Sequence, residues 1–232
     1  MKTFDWLMKI GSVVVAFVMR AGCESEPTRQ VRQVTTSGFL GDYSMLRDGG
    51  EGEAALVYFN PKADFAAYDK IILDPVTLWD ADAAPDKFVT KKDRQYLANV
   101  FHAVLWQELK EDYKFVTEPG PGTMRVRAAI TGVMPSAPTL DTISTYVPPV
   151  RLLFTLATLN ADTAAFVGEA SVEGEVRDAQ SGELLAAGVD RRAGTKFLGK
   201  ASGGVGKWKD VRKAFRAWAQ QFKANLRKRR GG

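Results

Sequence analysis

From residue 166 to 178 the chain reads FVGEASVEGEVRD, with small or apolar residues at every second position of its central part. Successive side chains of a strand point to opposite faces. Extended, this stretch therefore sets Ala170, Val172, Gly174 and Val176 on one face and Glu169, Ser171, Glu173, Glu175 and Arg177 on the other. The turn formers AQSGE follow, and LLAAGVDRR continues beyond them, so residues 166–192 are predicted to form a β-hairpin. A lone hairpin is marginal in water and must lay its apolar face on other elements. The rest of the chain has to supply that cover.

A further strand precedes the hairpin. After the turn EPGPG (118–122), TMRVRAAITGV alternates Met124, Val126, Ala128 and Ile130 against Arg125, Arg127 and Ala129. Arg125 and Arg127 suit cross-strand pairing with Glu173 and Glu175, at about 0.2 to 1 kcal/mol a pair. The expectation is a solvated, charged sheet face in preference to a carboxylate site. ALVYFN (55–60) is a short strand candidate. YDKIILDPVTLW (68–79) is a stronger one, with Pro75 marking an edge, bulge or break.

Two helices complete the set. In residues 90–113, Leu97, Val100, Phe101, Val104, Leu105 and Leu109 recur at three- and four-residue spacing, and Thr90 with Asp93 resembles a capping box. His102 lies in this helix as a packed or flanking residue. In residues 206–230, Trp208, Val211, Phe215, Trp218, Phe222 and Leu226 share a face, with basic residues around the remainder. The terminal Arg227, Lys228, Arg229 and Arg230 suit the negative end of the helix dipole and are candidates for contact with an acidic partner or anionic surface. The expected architecture is α/β (α+β): a single sheet with a central helix and a C-terminal helix packed on it.

Charge is distributed unevenly. The net +5 conceals a body that is mildly acidic, because residues 207–232 hold ten basic residues against Asp210 alone. One cysteine and one histidine exclude a disulfide framework and thiolate or histidine-rich metal sites. KFLGKASGGVGK (196–207) departs from a phosphate-binding loop at Ala201 and Trp208 and reads as a connector, so no cofactor is expected. YVPPVRLLFTLATLN (146–160) is apolar over nearly its whole length and is expected to be buried.

The first 22 residues have the order of a secretory signal: Lys2 and Lys9, a run of about ten mostly apolar residues from Ile10 to Met19, then Ala21 and Gly22. The run is too short to span a bilayer. Cys23 after it resembles the bacterial lipobox, with Arg20 standing where an apolar residue is usual. Cys23 is therefore the lipidation candidate, and Glu24 after it favours the outer membrane. Residues 23–37 read as a flexible tether, and residues 38–232 as a single domain.

The ordered segments GFLGDYSML (38–46), YDKIILDPVTLW, EPGPGTMRVRAAITGV, VGEASVEGEVRDAQSGELLAAGVDRRAG and WKDVRKAFRAWAQQF resemble the bacterial lipoprotein family called domain of unknown function 3313. The resemblance runs from about Gly38 to the C-terminal helix. It implies a periplasm-facing lipoprotein, supports Cys23 as the anchor, and carries no established activity. The order of elements is also similar to the small α/β domain of TolB and of the curli secretion lipoprotein CsgG, although topology does not supply function. The leading expectation is a non-enzymatic module tethered by palmitate-type acylation to the cell envelope, with an envelope protein or peptidoglycan as partner and no nucleic acid. An envelope hydrolase using Asp178, Asp190 or the glutamate ladder is the alternative. Nucleic-acid binding through the basic terminal helix is the second.

Overall fold

A computed structural model describes residues 28–79, 89–134, 168–194 and 208–231. The leader, Cys23, segment 146–160 and connector 196–207 lie outside these residues. In chain order the elements are β1 (Arg29–Gln30), β2 (Arg47–Asp48), β3 (Leu56–Phe59), β4 (Lys70–Leu73), β5 (Thr77–Leu78), α1 (Lys91–Leu109), β6 (Lys114–Phe115), β7 (Thr123–Met134), β8 (Glu169–Asp178), β9 (Leu184–Ala193) and α2 (Lys209–Arg230).

Among the described residues the strands form one mixed sheet, ordered β2-β3-β9-β8-β7-β4-β6. The predicted hairpin is β8 and β9, with Gly174 opposite Gly188 and Val172 opposite Asp190. Its five-residue turn places Gly182 at φ 75°, a left-handed conformation that glycine adopts without a side-chain clash. β7 joins β8 antiparallel, with an irregularity between Ile130 and Gly132. β4 pairs parallel with β7 at Ile71 and Met124, and β5 resumes the same edge at Thr77 and Ala129. Pro75 falls in the gap between β4 and β5, where a residue without an N–H cannot donate to the ladder. β3 and β1 likewise share one edge, pairing antiparallel with successive parts of β9. Residues 29 and 30, expected in a tether, are thus sheet residues.

α1 begins as its sequence dictates. The Thr90 hydroxyl accepts from Asp93 N–H at 3.2 Å, and Asp93 accepts from Thr90 N–H at 2.9 Å. Asp93 also accepts from the Trp208 indole at 2.8 Å, joining the starts of the two helices. Arg212 meets Tyr96 at 3.3 Å, Phe101 stacks on Phe215 at 4.7 Å, and Lys223 pairs with Glu111 at 2.7 Å. Partners advance together along both chains, so α1 and α2 lie parallel.

Both helices cover one face of the sheet. Leu97, Phe101, Leu105, Val211, Phe215 and Trp218 pack with Ala128, Ile130 and Ala170. A second cluster sets Leu109 and Leu226 against Ile71, Met124, Val126 and Val176. Each fully buried Leu, Val or Phe contributes about 1.5 to 3 kcal/mol. His102 is half-buried on α1.

Candidate functional site

The sheet face away from the helices differs from expectation. Glu173 is 0% exposed and Glu175 3%, so this face is not simply solvated. The cover is the segment GFLGDYSML with its neighbour Ser37. Ser37 N–H and the Tyr43 hydroxyl donate to the two oxygens of Glu173, each at 2.6 Å. Phe39 meets Trp79 edge-on at 5.5 Å, and the Arg127 guanidinium lies 5.1 Å from the Phe39 ring. Burial and the Glu173 hydrogen bond push the Tyr43 phenol up. Below this strap, Glu175 accepts from Arg127, the predicted cross-strand pair, and from Arg177 at 2.8 Å. Arg125 pairs instead with Asp74 at 3.3 Å.

Asp190 stands on the opposite face, directed toward the helices, and is 2% exposed. One oxygen accepts from Gln30 Nε2 at 2.7 Å and Ala55 N–H at 3.0 Å. The other accepts from Trp218 Nε1 at 2.7 Å and lies 3.5 Å from Arg192 Nε. The carboxylate ties β1, the start of β3, β9 and α2 together. Alternation in LLAAGVD was a readable signal for this, because the inward parity of Ala186 and Gly188 includes Asp190. Asp178 closes the hairpin turn by accepting from Gln180 N–H, Ser181 N–H and the Ser181 hydroxyl, and it also accepts from the Tyr68 hydroxyl at 3.0 Å. These bonds, the Ser181 N–H first, hold its carboxyl below the usual range. Burial, followed by the Asp178 hydrogen bond, pushes Tyr68 up to about 12.

The four carboxylates of the hydrolase alternative are therefore not assembled around one space. Glu173 and Glu175 face the strap, Asp190 faces the helices, and Asp178 sits in the hairpin turn. Among the described residues no group of three or more His, Cys, Asp or Glu is placed to hold a metal ion.

At the end of α2 the basic cluster meets partners within the domain. Arg227 donates to both oxygens of Asp112, at 2.6 and 2.7 Å, and holds that carboxyl below its ordinary range. Arg230 lies 4.9 Å from the Tyr113 ring. The Arg229 guanidinium sits 3.3 Å from the Phe59 ring centroid and 3.4 Å from Glu53. Lys228 is exposed and makes no ion pair among the described residues. Because the helices are parallel, both C-termini and the acids Glu111 and Asp112 gather here. Cationic side chains offset that negative charge.

Beneath this end lies a cavity of about 140 Å³ between the helices and the sheet. Its floor is made of small residues on adjacent strands, Ala128, Gly174, Ala186 and Gly188. Phe101, Leu105, Trp218 and Phe222 wall it from the helix side, and Phe59 and Asn225 lie toward the end of α2.

A model of the family described as protein of unknown function, DUF3313, matches residues 35–222. An uncharacterized lipoprotein of Escherichia coli, YdcL, is 30% identical over 115 residues, which is 49% of this chain and 50% of that protein. The chain spans about half the length of the curated relatives it matches. Among solved structures, PelC from Paraburkholderia phytofirmans, solved as a dodecamer, is 10% identical with a TM-score of 0.38, over 72% of this chain and 94% of that one. A DUF4136 family protein from Bacteroides thetaiotaomicron is 7% identical with a TM-score of 0.37, over 73% and 94%.

Proposed function

The chain belongs to the DUF3313 family of proteins of unknown function, and from that premise we propose that it is a lipoprotein anchored through Cys23 in the outer membrane. On this reading its domain faces the periplasm and acts by binding an envelope partner, not by catalysis. The observation that carries the proposal is the sole cysteine, placed directly after a signal-like leader, in a chain related to an uncharacterized lipoprotein. Acylation supplies about 0.8 kcal/mol per buried methylene, so several chains hold a protein firmly to a bilayer. Glu24, at the position where an aspartate favours inner-membrane retention, supports the outer membrane as the destination. A binding role is supported by the structural employment of Asp178, Asp190, Glu173 and Glu175, each held by donors in its own part of the fold.

The test is Cys23→Ala in the full chain, followed by palmitate labelling and membrane fractionation. Loss of label and release from the membrane fraction are expected; unchanged labelling and fractionation reject the anchor. Arg20→Leu should increase lipidation by restoring an apolar residue before the cleavage site. Crosslinking in the intact envelope should recover an envelope protein or peptidoglycan.

A further inference from the structure

We propose that the cavity between α2 and the sheet binds a single-chain fatty carboxylate, with the hydrocarbon end enclosed and the carboxylate received by Arg229. The inference stands apart from the anchor at Cys23, because it uses the described domain alone.

The first argument concerns the floor. Glycine in the interior of a strand weakens it and often marks a bulge, a bend, or a site where a ligand or another backbone approaches closely. Neither Gly174 nor Gly188 has a positive φ that would require glycine. A Cβ at Gly188 would meet its nearest atoms at 3.4 Å, an ordinary contact, and one at Gly174 would meet Arg127 O at 3.3 Å. Side chains were therefore sterically open to Gly188 and nearly so to Gly174. Space left beneath Phe101, Leu105 and Trp218 forfeits packing that protein interiors normally achieve, and a ligand would restore it.

The second argument concerns the rim. Residues 49–54 close over the last turns of α2: Asn225 Nδ2 donates to Gly52 O at 2.9 Å, and Arg229 stacks on the cavity-lining Phe59. The Arg229 Nε is buried without a hydrogen-bond acceptor. Its neighbour Glu53 does not depend on it, because Arg47 donates to Glu53 at 3.0 and 3.3 Å and Gly50 N–H at 3.0 Å. Arg229 thus combines an apolar rim, a spare donor and a fixed charge, which is the chemistry that recognises a carboxylate.

Size sets the class. An apolar cavity of about 150 Å³ accommodates a ring of about six carbons. One acyl chain end fits; the two chains of a phospholipid do not.

The experiment titrates the full chain calorimetrically with butanoate, hexanoate, octanoate and decanoate, and with octanol. Affinity is expected to rise about fourfold per methylene and to level off once about six carbons are enclosed. Ala128→Ile, which fills the floor, should abolish octanoate binding in a protein that still unfolds cooperatively. Arg229→Gln should weaken octanoate about tenfold while leaving octanol unchanged. Octanoate binding undiminished in a folded Ala128→Ile overturns the cavity assignment, and equal effects of Arg229→Gln on octanoate and octanol overturn the head-group assignment. Should Ala128→Ile fail to fold, NMR on the unaltered protein decides: contacts between the octanoate methyl group and the Trp218 and Phe101 rings are expected, and their absence at saturation refutes the site.

Discussion

Replacing Asp190 by asparagine changes one oxygen to an NH2 group inside a nearly closed pocket of donors. The amide has two orientations, and in each its NH2 faces N–H groups. Toward one side stand Gln30 Nε2 and the backbone N–H of Ala55; toward the other stand Trp218 Nε1 and Arg192 Nε. The Ala55 backbone cannot swing away, so the NH2 group should turn to Trp218. An indole N–H buried without an acceptor then costs about 1 to 3 kcal/mol. Arg192 is half-buried, its charge already disfavoured there by desolvation, and it loses the anion that compensates it. Breaking a buried ion pair costs about 3 to 5 kcal/mol. The pair here is long at 3.5 Å, and Arg192 keeps a 3.0 Å hydrogen bond to Gln221, so the combined loss should be about 3 to 5 kcal/mol. That is a large part of a domain stability of about 5 to 15 kcal/mol. With a urea m-value of about 2 kcal/mol/M, the midpoint should fall by about 2 M. Trp218→Phe supplies the control. In the Asp190→Asn background it removes an N–H that is already unpaired, so the double variant should be more stable than the sum of single losses predicts, by at least about 1 kcal/mol. A loss below about 1 kcal/mol for Asp190→Asn, or additivity within about 0.5 kcal/mol in the cycle, would refute the carboxylate's role as the common acceptor.

The strap and the hairpin turn give two further tests. Tyr43→Phe removes one of the two donors of buried Glu173, and should cost about 1 to 3 kcal/mol in urea unfolding while speeding proteolysis between residues 38 and 46; unchanged cleavage would count against the strap's attachment. Tyr68 holds its proton more tightly when folded, with a pKa near 12 against 10.0 for the free group, so its contribution is intact below pH 10 and is lost as the pH rises from 10 toward 12. Tyr68→Phe should flatten that alkaline decline in urea midpoints, and an equally steep decline in the variant would contradict the assignment.

Elements with an internal period were legible in the sequence. The alternation in β7 and β8 assigned the residues of both faces correctly, the spacing from Leu97 to Leu109 marked the buried side of α1, and Thr90 with Asp93 marked its start. Pro75 marked the division between β4 and β5. Two-residue strands such as β1, β2 and β6 contain too few positions to display a period, and their pairing is decided by chain segments far away. Burial of Glu173 was hidden for the same reason: its donors, Ser37 and Tyr43, lie 136 and 130 residues earlier. Sequence offered Arg227 to Arg230 as candidates for contact with an acidic partner or anionic surface, and it did not display the acids that meet them within the domain. Helix direction sets those pairings, because only parallel helices bring Asp112 and Glu111 to the same end as these side chains.

The pairing of Arg29 with Ala193 sets a leash length. With a lipid on Cys23 as proposed, only five residues, 24 to 28, lie between the anchor and a fixed point in the sheet. Fully extended, the six steps from Cys23 to Arg29 reach at most about 22 Å. The β1 corner of the domain must then ride within one small-protein diameter of the bilayer, and any partner has to approach the membrane surface to meet it.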